Sequence, residues 1–253
     1  MISTNDIIKL SNKSGIDSFT MLREYVQISF LNQLFEFSEA KQLVFKGGTA
    51  LRLLFNSPRF SEDLDFTTAL NDKEISQLIN KTSLSIKKNI GDIKIKNIES
   101  IVGTTKKLYF QSELSKQPLT IKLDFSKRGD TLKTKIGIIK TNLPVIAMTP
   151  IIFMDPEEIL AEKTRAILTR KKGRDLYDIW FLIHQGYKLN PKFIKQKLSL
   201  YKETYQPKKI LAVIKNWDDK TLLDDINKFL SKEDRQIIPH LKKLAYDEFC
   251  KTI

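Results

Sequence analysis

The chain has 253 residues and a formal net charge of +13, because 43 lysine and arginine residues face 30 aspartate and glutamate residues. A hydrophobic fraction of 41%, with 9% aromatic residues, is enough to bury a core and excludes a disordered, collagen-like or coiled-coil protein. The single cysteine, Cys250, excludes an internal disulfide framework and a cysteine-based zinc site. Because the N-terminus is unlike a signal peptide and no apolar run approaches the roughly 20 residues of a membrane span, we expect a cytoplasmic protein with no membrane partner.

The positive charge is concentrated in the middle of the chain. Residues 101–200 carry 19 lysine and arginine residues against nine acidic ones. Such a surplus attracts polyanions, of which nucleotides and nucleic acids are the obvious candidates. A solvated lysine-rich surface explains the same count equally well.

The first half of the chain predicts helices followed by strands. Residues 17–35 have a helical apolar period with Asp17 as N-cap. A short apolar run at 43–45 leads through two glycines into a second helical pattern, which indicates a strand, a turn and a helix. Residues 63–67 alternate as a strand does, so Asp63 and Asp65 share one side. A polar helix is expected over about 72–90, and residues 119–126 show the clearest period-two pattern in the chain, with Asp124 on its polar face.

The second half is predicted to be helical. We expect a last strand at 145–147. Asp155 and Pro156 then supply an N-cap and an N1 proline, so a helix begins there. We expect this helix to reach about Lys172 and to be ended by Gly173, with further amphipathic helices to the C-terminus. The change of architecture predicts one domain over residues 1–152 and a helical domain over 153–253.

The turn at Gly47, Gly48 and Thr49 is a candidate phosphate site. It lies between a strand and a helix N-terminus, where free backbone N–H groups and the helix dipole favour an anion. The spacing is not that of a P-loop or a dinucleotide fingerprint, and a tight turn explains most Gly-Gly pairs. Taken alone, the turn favours the structural interpretation.

Three aspartates are candidate metal ligands. Asp63 and Asp65 on one strand face suit a pair of hard divalent cations, although an exposed polar strand face is the commoner explanation of such a pair. Asp124, on a strand that could pair alongside, shifts the balance toward metal. Three convergent aspartates are typical of two-metal phosphoryl chemistry.

Taken together, two motifs are far more specific than their parts. They are Lys46-Gly47-Gly48-Thr49-Ala50-Leu51 and Arg59-Phe60-Ser61-Glu62-Asp63-Leu64-Asp65-Phe66. They resemble the nucleotidyltransferase motif of the AbiEii toxin family, which includes the MenA-like (MenT) toxins of type IV toxin–antitoxin systems. A later pair of segments, residues 158–166 and 170–178, resembles the second signature of the same family.

The resemblance implies an α+β fold related to DNA polymerase β, a mixed sheet with flanking helices, followed by a helical C-terminal region. It implies that Asp63 and Asp65 hold Mg²⁺, as two ions, and that the Gly47-Gly48-Thr49 turn holds nucleotide phosphates. Lys163 and Asp178 match the essential lysine and distal aspartate of the family. Thr49 replaces the serine that is common in the wider superfamily and keeps its hydroxyl.

Lys163 and the basic residues after it have competing interpretations. The ammonium of Lys163 suits a triphosphate, but spacing alone favours a surface lysine paired with Glu158 or Glu162. Asp178 could orient Lys163. A basic cluster is predicted to grip an RNA backbone or the nucleotide, although one of its arginines could instead pair with Asp175. The cluster consists of Arg170, Lys171, Lys172 and Arg174.

The sequence therefore predicts a Mg²⁺-dependent nucleotidyltransferase that uses a nucleoside triphosphate. By resemblance, the acceptor is RNA, with tRNA 3′ ends the first candidate, and the protein is a toxin restrained by a cognate antitoxin. A metal-dependent nuclease could use the same aspartates but would not need the glycine turn. A non-catalytic RNA-binding module would keep the basic surface without any metal ligand.

Overall fold

The computed structural model describes residues 2–99, 103–127 and 131–252, which form two compact units. The first unit comprises Met1–Asp130 and Thr134–Phe153, and the second comprises Thr131–Lys133 and Met154–Ile253. Four α-helices belong to the described part of the first unit: α1 (Thr4–Ser14), α2 (Ser18–Leu34), α3 (Gly47–Phe55) and α4 (Asp72–Ile90). The strands are β1 (Leu43–Lys46), β2 (Leu64–Thr68), β3 (Ile93–Ile98), β4 (Thr104–Phe110), β5 (Leu119–Ser126), β6 (Thr134–Gly137) and β7 (Ile151–Met154).

The described strands form one mixed sheet in the order β3-β4-β5-β2-β1-β7-β6. β3, β4 and β5 form an antiparallel meander, β5 runs parallel to β2, and β2 is antiparallel to β1. Three phenylalanines lie side by side on adjacent strands, with ring centroids 5.5 Å apart for Phe45 and Phe66 and 5.1 Å apart for Phe66 and Phe125. All three are fully buried, so this face of the sheet forms the core. The residues that alternate with these phenylalanines along each strand point to the opposite face of the sheet.

The second unit is helical in the described residues. It contains α5 (Pro156–Thr169), α6 (Gly173–His184), α7 (Pro191–Ser199), α8 (Pro207–Lys215), α9 (Asp219–Ile226) and α10 (Ile238–Cys250). α6 packs against α5, α9 and α10, and α5 also packs against α7. Among the described residues, no helix combines the length and apolar character that crossing a membrane requires.

Local signals in the sequence are confirmed at several element boundaries. The Asp17 carboxylate accepts a hydrogen bond from the Thr20 N–H and caps α2. Asp155 caps α5 in the same way, with Pro156 at the first helical position. The alternation of β5 is complete, since every second side chain from Leu119 is buried. Such boundaries depend on residues that are close together in sequence, so they can be predicted from one amino-acid sequence.

Two boundary predictions are wrong. α5 ends at Thr169 rather than near Lys172, because Lys171 adopts a left-handed backbone with φ of 42° that an α-helix does not permit. Gly173 does not end that helix but begins α6. A Cβ there would lie 3.0 Å from side-chain carbons of both Leu222 and Asp225, so close packing against α9 explains the glycine.

The expected strand at residues 145–147 is also wrong. This segment has no strand, and the side chain of Ile146 is 78% exposed. The last strand of the sheet is β7, which is parallel to β1 and pairs Phe153 with Phe45. An apolar tripeptide predicts a strand only if the fold offers it an unpaired sheet edge, and sequence alone does not show which edge is free.

Candidate active site

The phosphate-type turn opens α3 directly from the end of β1. Lys46 is the N-cap, and a lysine side chain cannot accept hydrogen bonds, so it cannot cap the N–H groups of the first turn. Gly47 has φ of +80°, and a Cβ there would overlap the Asp65 carboxylate. Both features favour glycine at this position. The α3 N-terminus therefore offers backbone donors and a helix dipole to an anion beside Asp65.

Gly48 and Thr49 are buried in the same turn. A Cβ on Gly48 would overlap the Arg59 guanidinium and lie 3.0 Å from the Ser61 hydroxyl, so the segment after α3 folds back against the turn. The Thr49 hydroxyl donates a hydrogen bond to the Asp63 carbonyl oxygen. The turn and the Asp63 backbone are thus held together through this threonine. In this conformation the predicted phosphate-binding hydroxyl serves to position Asp63.

Carboxylates from two strands lie in one row across the sheet. Asp65 of β2 is opposite Lys46 of β1 on one side and opposite Asp124 of β5 on the other. Asp124 is in turn opposite Thr105 of β4. Asp63 immediately precedes β2 and has the same parity as Asp65. The register therefore brings the predicted turn and the three predicted aspartates to one part of the open sheet face.

Lys122 lies among these carboxylates. Its ammonium is 2.8 Å from Asp124 Oδ2, and its side chain is 43% exposed. Burial lowers the pKa of Lys122, but the hydrogen bond to Asp124 and the negative charges of Asp124, Asp63 and Asp65 outweigh it. The pKa of Lys122 therefore lies above its ordinary value. One ammonium partly neutralises three acidic side chains that would otherwise repel one another.

The donor chemistry of the site suits a hard cation only in part. Asp63 and Asp65 offer carboxylate oxygens, which Mg²⁺ prefers, beside a helix N-terminus that suits phosphates. The two oxygens of Asp124 accept hydrogen bonds from Thr105, at 2.8 Å, and from Lys122. In the described ranges, no three acidic, histidine or cysteine side chains are arranged as a ready metal cage. Asp63 and Asp65 thus fit as ligands, whereas each oxygen of Asp124 already accepts one hydrogen bond.

Lys163 lies in a buried ion-pair network of the second unit. Its ammonium is 2.9 Å from Asp175 Oδ1 and 2.7 Å from Asp178 Oδ2, and both carboxylates are almost fully buried. The alternative pairing with Glu158 is not observed, because Lys197 of α7 is the ion-pair partner of Glu158. The structure therefore brings Lys163 and Asp178 together. Two anions hold the Lys163 ammonium in a fixed position.

Asp175 connects this network to the predicted basic cluster. Arg170 donates from Nε and Nη2 to the two Asp175 oxygens, at 2.7 and 2.9 Å. Burial would raise the pKa of Asp175, but the charge of Lys163 and the hydrogen bond and charge of Arg170 outweigh it. The pKa of Asp175 consequently lies well below its ordinary value. Arg170 therefore links α5 to α6 through Asp175. This pairing is the alternative to RNA binding that the sequence offered for an arginine of the cluster.

The other three members of the basic cluster differ in their surroundings. Arg174 lies over the Phe229 ring, with its guanidinium carbon 4.9 Å from the centroid. Lys171 and Lys172 are exposed. Arg170 is also exposed, at 57% of its side chain, but its guanidinium is bound to Asp175. Lys171 and Lys172 are therefore the exposed members of the cluster that lie outside this ion pair.

Two residues near the first-unit site have no role in the sequence analysis. Arg59 is a 2% exposed arginine whose guanidinium lies against Gly48 and donates to the Phe60 carbonyl oxygen at 2.9 Å. Lys122 lies two residues before Asp124 on the same strand face. That spacing was a usable signal for Lys122, because residues i and i+2 of a strand share a face. No comparable local signal reveals the burial of Arg59.

Comparisons with known proteins identify one matching family. The sequence model of one family, described as "Nucleotidyl transferase AbiEii toxin, Type IV TA system", matches residues 29–251. No curated protein sequence matches the chain.

Two solved structures share the fold. The nucleotidyltransferase toxin MenT4 from Mycobacterium tuberculosis H37Rv is 17% identical, with a TM-score of 0.70 over 98% of this chain and 89% of that one. JHP933 from Helicobacter pylori is 18% identical, with a TM-score of 0.54 over 93% of this chain and 95% of that one. At such low identity, the likeness establishes the fold alone.

Proposed function

Because the chain belongs to the AbiEii family of type IV toxin nucleotidyltransferases, we propose that it transfers a nucleotide from a nucleoside triphosphate to a hydroxyl group of an RNA acceptor. The 3′ end of tRNA is the first candidate acceptor. One observation carries the proposal: the sheet register sets Asp65 beside Asp124, next to the glycine turn that opens α3. A phosphate-binding turn and adjacent carboxylates are parts that metal-assisted phosphoryl transfer uses.

The triphosphate binds at the N-terminus of α3 in this proposal. The backbone N–H groups after Lys46 donate to phosphate oxygens, and the absence of side chains at Gly47 and Gly48 lets the phosphates approach. Asp63 and Asp65 would hold Mg²⁺, as two ions, which when bound neutralises charge on the phosphates. Thr49 keeps the Asp63 backbone against the turn.

Asp124 accepts the proton of the attacking hydroxyl. The acceptor oxygen forms a bond to the α-phosphorus, and the bond from the α-phosphorus to the bridging oxygen breaks, releasing pyrophosphate. Lys122 donates to the second oxygen of Asp124 and holds that carboxylate in place. Asp124 must lie within hydrogen-bond reach of the hydroxyl for this transfer.

The second unit holds the Lys163 ammonium in a fixed position. We propose Lys163 as a nucleotide-binding residue of that unit, and Asp178 orients its ammonium through their 2.7 Å contact. The basic cluster of Arg170, Lys171, Lys172 and Arg174 binds phosphates of the RNA, chiefly through Lys171 and Lys172.

Family membership also implies a partner. A toxin of a type IV system is encoded with an antitoxin, and we propose that a cognate antitoxin protein restrains this enzyme. We place the reaction in the cytoplasm, where nucleoside triphosphates and tRNA are both present.

Incubation with radiolabelled nucleotides tests the proposal. The purified protein is incubated with each α-labelled nucleoside triphosphate and total tRNA, in Mg²⁺ and in EDTA. We expect label in the tRNA band with Mg²⁺ alone and release of pyrophosphate. Cleaved tRNA without incorporated label would instead indicate a nuclease, and bound but unmodified tRNA would indicate a non-catalytic module.

The variant Asp65→Ala should abolish transfer without unfolding the protein. Loss of a metal ligand removes several kcal/mol of charge stabilisation, which corresponds to about a hundredfold or more in rate. The matched control is Asp92→Ala, which removes an aspartate of the same unit that is 72% exposed. Transfer by Asp65→Ala at the rate of Asp92→Ala would exclude the proposed carboxylate mechanism.

A further inference from the structure

The open face of β3, β4 and β5 is basic and lies in line with the carboxylates. In the row next to Asp124, the register sets Lys96 of β3 opposite Lys107 of β4, and Lys107 opposite Lys122 of β5. In the following row, Lys94 is opposite Tyr109, and Tyr109 is opposite Thr120. We call Lys94, Lys96, Lys107 and Tyr109 the basic platform.

The parity of β4 establishes which face these residues occupy. Lys106, Leu108 and Phe110 are buried, and the Lys106 ammonium is 2.9 Å from the Ser76 hydroxyl of α4. They belong to the face that α4 covers. Lys107 and Tyr109 alternate with them and therefore lie on the opposite face, which also carries Asp124. Both are half-buried, whereas Lys94 and Lys96 are exposed.

The platform combines cations with an aromatic ring. The ammonium groups of Lys96 and Lys107 lie 5.4 and 5.7 Å from the Tyr109 ring centroid. In the described part of the chain, no carboxylate forms an ion pair with the ammonium of Lys94, Lys96 or Lys107. Lysines beside an accessible aromatic ring are the combination that binds single-stranded nucleic acid, through phosphate contacts and base stacking.

The order of the strands indicates which of the two reactants the platform contacts. Proceeding across the sheet, the α3 turn lies beside β1, Asp65 is on β2, Asp124 is on β5, and the platform is on β4 and β3. In an in-line displacement the attacking and leaving oxygens lie on opposite sides of the phosphorus. With the triphosphate at α3, the leaving pyrophosphate lies toward β1. The attacking hydroxyl must then come from the side of β4 and β3.

We propose that the basic platform binds the terminal nucleotides of the single-stranded 3′ end of the RNA acceptor, an inference that rests on the nucleotidyltransferase function proposed above. Tyr109 stacks on a base near the 3′ terminus. Lys94, Lys96 and Lys107 contact the neighbouring phosphates of the same strand. This binding delivers the terminal hydroxyl to Asp124.

Direct RNA binding and transfer kinetics test this assignment. Fluorescence anisotropy measures binding of a labelled single-stranded RNA oligonucleotide over a range of salt concentrations, and steady-state transfer gives KM for tRNA and for the nucleotide. In Lys96→Ala/Lys107→Ala, we expect the slope of log affinity against log salt to become shallower by about 1.4, since each single-strand phosphate contact contributes about 0.7. KM for tRNA should rise about tenfold or more, whereas KM for the nucleotide should not change.

Tyr109 provides a second and independent test. Tyr109→Ala should weaken RNA binding by roughly tenfold without changing the salt slope, because stacking on an aromatic ring does not release counterions. Tyr109→Phe keeps the ring and should bind as the wild type does. A loss in Tyr109→Phe equal to that in Tyr109→Ala would contradict stacking.

The control variant is Lys73→Ala/Lys88→Ala. It removes two exposed lysines from α4, on the covered side of the sheet, and changes the net charge equally. If the platform variants match this control in affinity, salt slope and KM for tRNA while the wild type transfers nucleotide, the platform assignment is wrong and the proposed function stands. A wild-type protein that transfers nucleotide to no RNA would overturn both.

Discussion

At the residue scale, the buried environment of Lys163 changes what its substitution reports. Asp175 and Asp178 are almost fully buried, and the Lys163 ammonium contacts both. Removal of one partner of a buried ion pair leaves an uncompensated charge, which typically costs about 3–5 kcal/mol. Lys163→Ala therefore combines a loss of stability with any loss of nucleotide binding, and activity alone cannot distinguish the two.

A paired substitution separates these effects. We expect Lys163→Met to lower the free energy of unfolding by about 3 kcal/mol, and Lys163→Met/Asp178→Asn to recover part of that loss because fewer buried charges are left unpaired. Neither variant should recover KM for the nucleotide, since both lack the ammonium. Urea denaturation and steady-state kinetics measure the two quantities. Recovery of KM together with stability in the double variant would show that Lys163 is purely structural.

At the element scale, the start of α3 depends on glycine for two reasons. Gly47 has a left-handed backbone, and its Cα faces the Asp65 carboxylate. Alanine at this position would add backbone strain of roughly 1–2 kcal/mol and would also displace Asp65. The first effect concerns stability and the second concerns the site.

Comparison with another left-handed glycine isolates the effect on the site. Gly186 has φ of +85°, and a Cβ there would meet nothing within 4 Å. We expect Gly47→Ala and Gly186→Ala to lose similar stability, whereas Gly47→Ala alone should lose most of its transfer activity. Thermal unfolding and nucleotide incorporation provide the two measurements. Equal activity in the two variants would show that Asp65 is not displaced.

The contact between α5 and α6 should be sensitive to acid. The pKa of Asp175 is depressed in the folded protein, so its contribution to stability is fully present above the unfolded pKa of about 3.9 and is lost as the pH falls below it. We expect Asp175→Asn to be less stable than the wild type at pH 7 and to lose less further stability between pH 5 and pH 3. Urea midpoints over this range measure the difference. Asp247→Asn removes an exposed carboxylate of the same unit and should follow the wild-type pH dependence.

At the scale of the whole molecule, the charge of +13 gives each unit a basic surface. The first unit carries the basic platform, and the second carries Lys171 and Lys172 in the segment between α5 and α6. Phosphate contacts position an RNA without reading its bases.

The second basic surface has its own prediction. Lys171→Ala/Lys172→Ala should weaken binding of all tRNAs alike and reduce the steepness of the salt dependence by roughly 0.7–0.9 for each phosphate that the variant no longer binds. Filter binding of several tRNAs at increasing salt measures both. The control is Lys208→Ala/Lys215→Ala, which removes two exposed lysines of α8. If the two pairs have the same affinity and slope, the predicted RNA cluster is a solvated surface.

Features that depend on residues close together in the chain could be predicted without the structure. The cap at Asp17, the start of α5 at Asp155 and Pro156, and the alternation of β5 all follow from interactions within a few residues. The family was likewise recognisable, because its two signatures are local motifs. The strand, turn and helix around Gly47 could be predicted for the same reason.

Contacts between residues that are distant in sequence could not be predicted and are established by the folded structure. Asp124 lies beside Asp65 because β5 pairs in parallel with β2, and strand partners are selected by burial of the whole sheet face rather than by any local pattern. Lys163 contacts Asp175 and Asp178, although Glu158 and Glu162 are nearer to it in sequence. The packing of α6 on α5 supplies those partners, and α7 supplies Lys197 to Glu158. Long-range packing sets these contacts, so a single sequence could name the charged residues but could not pair them.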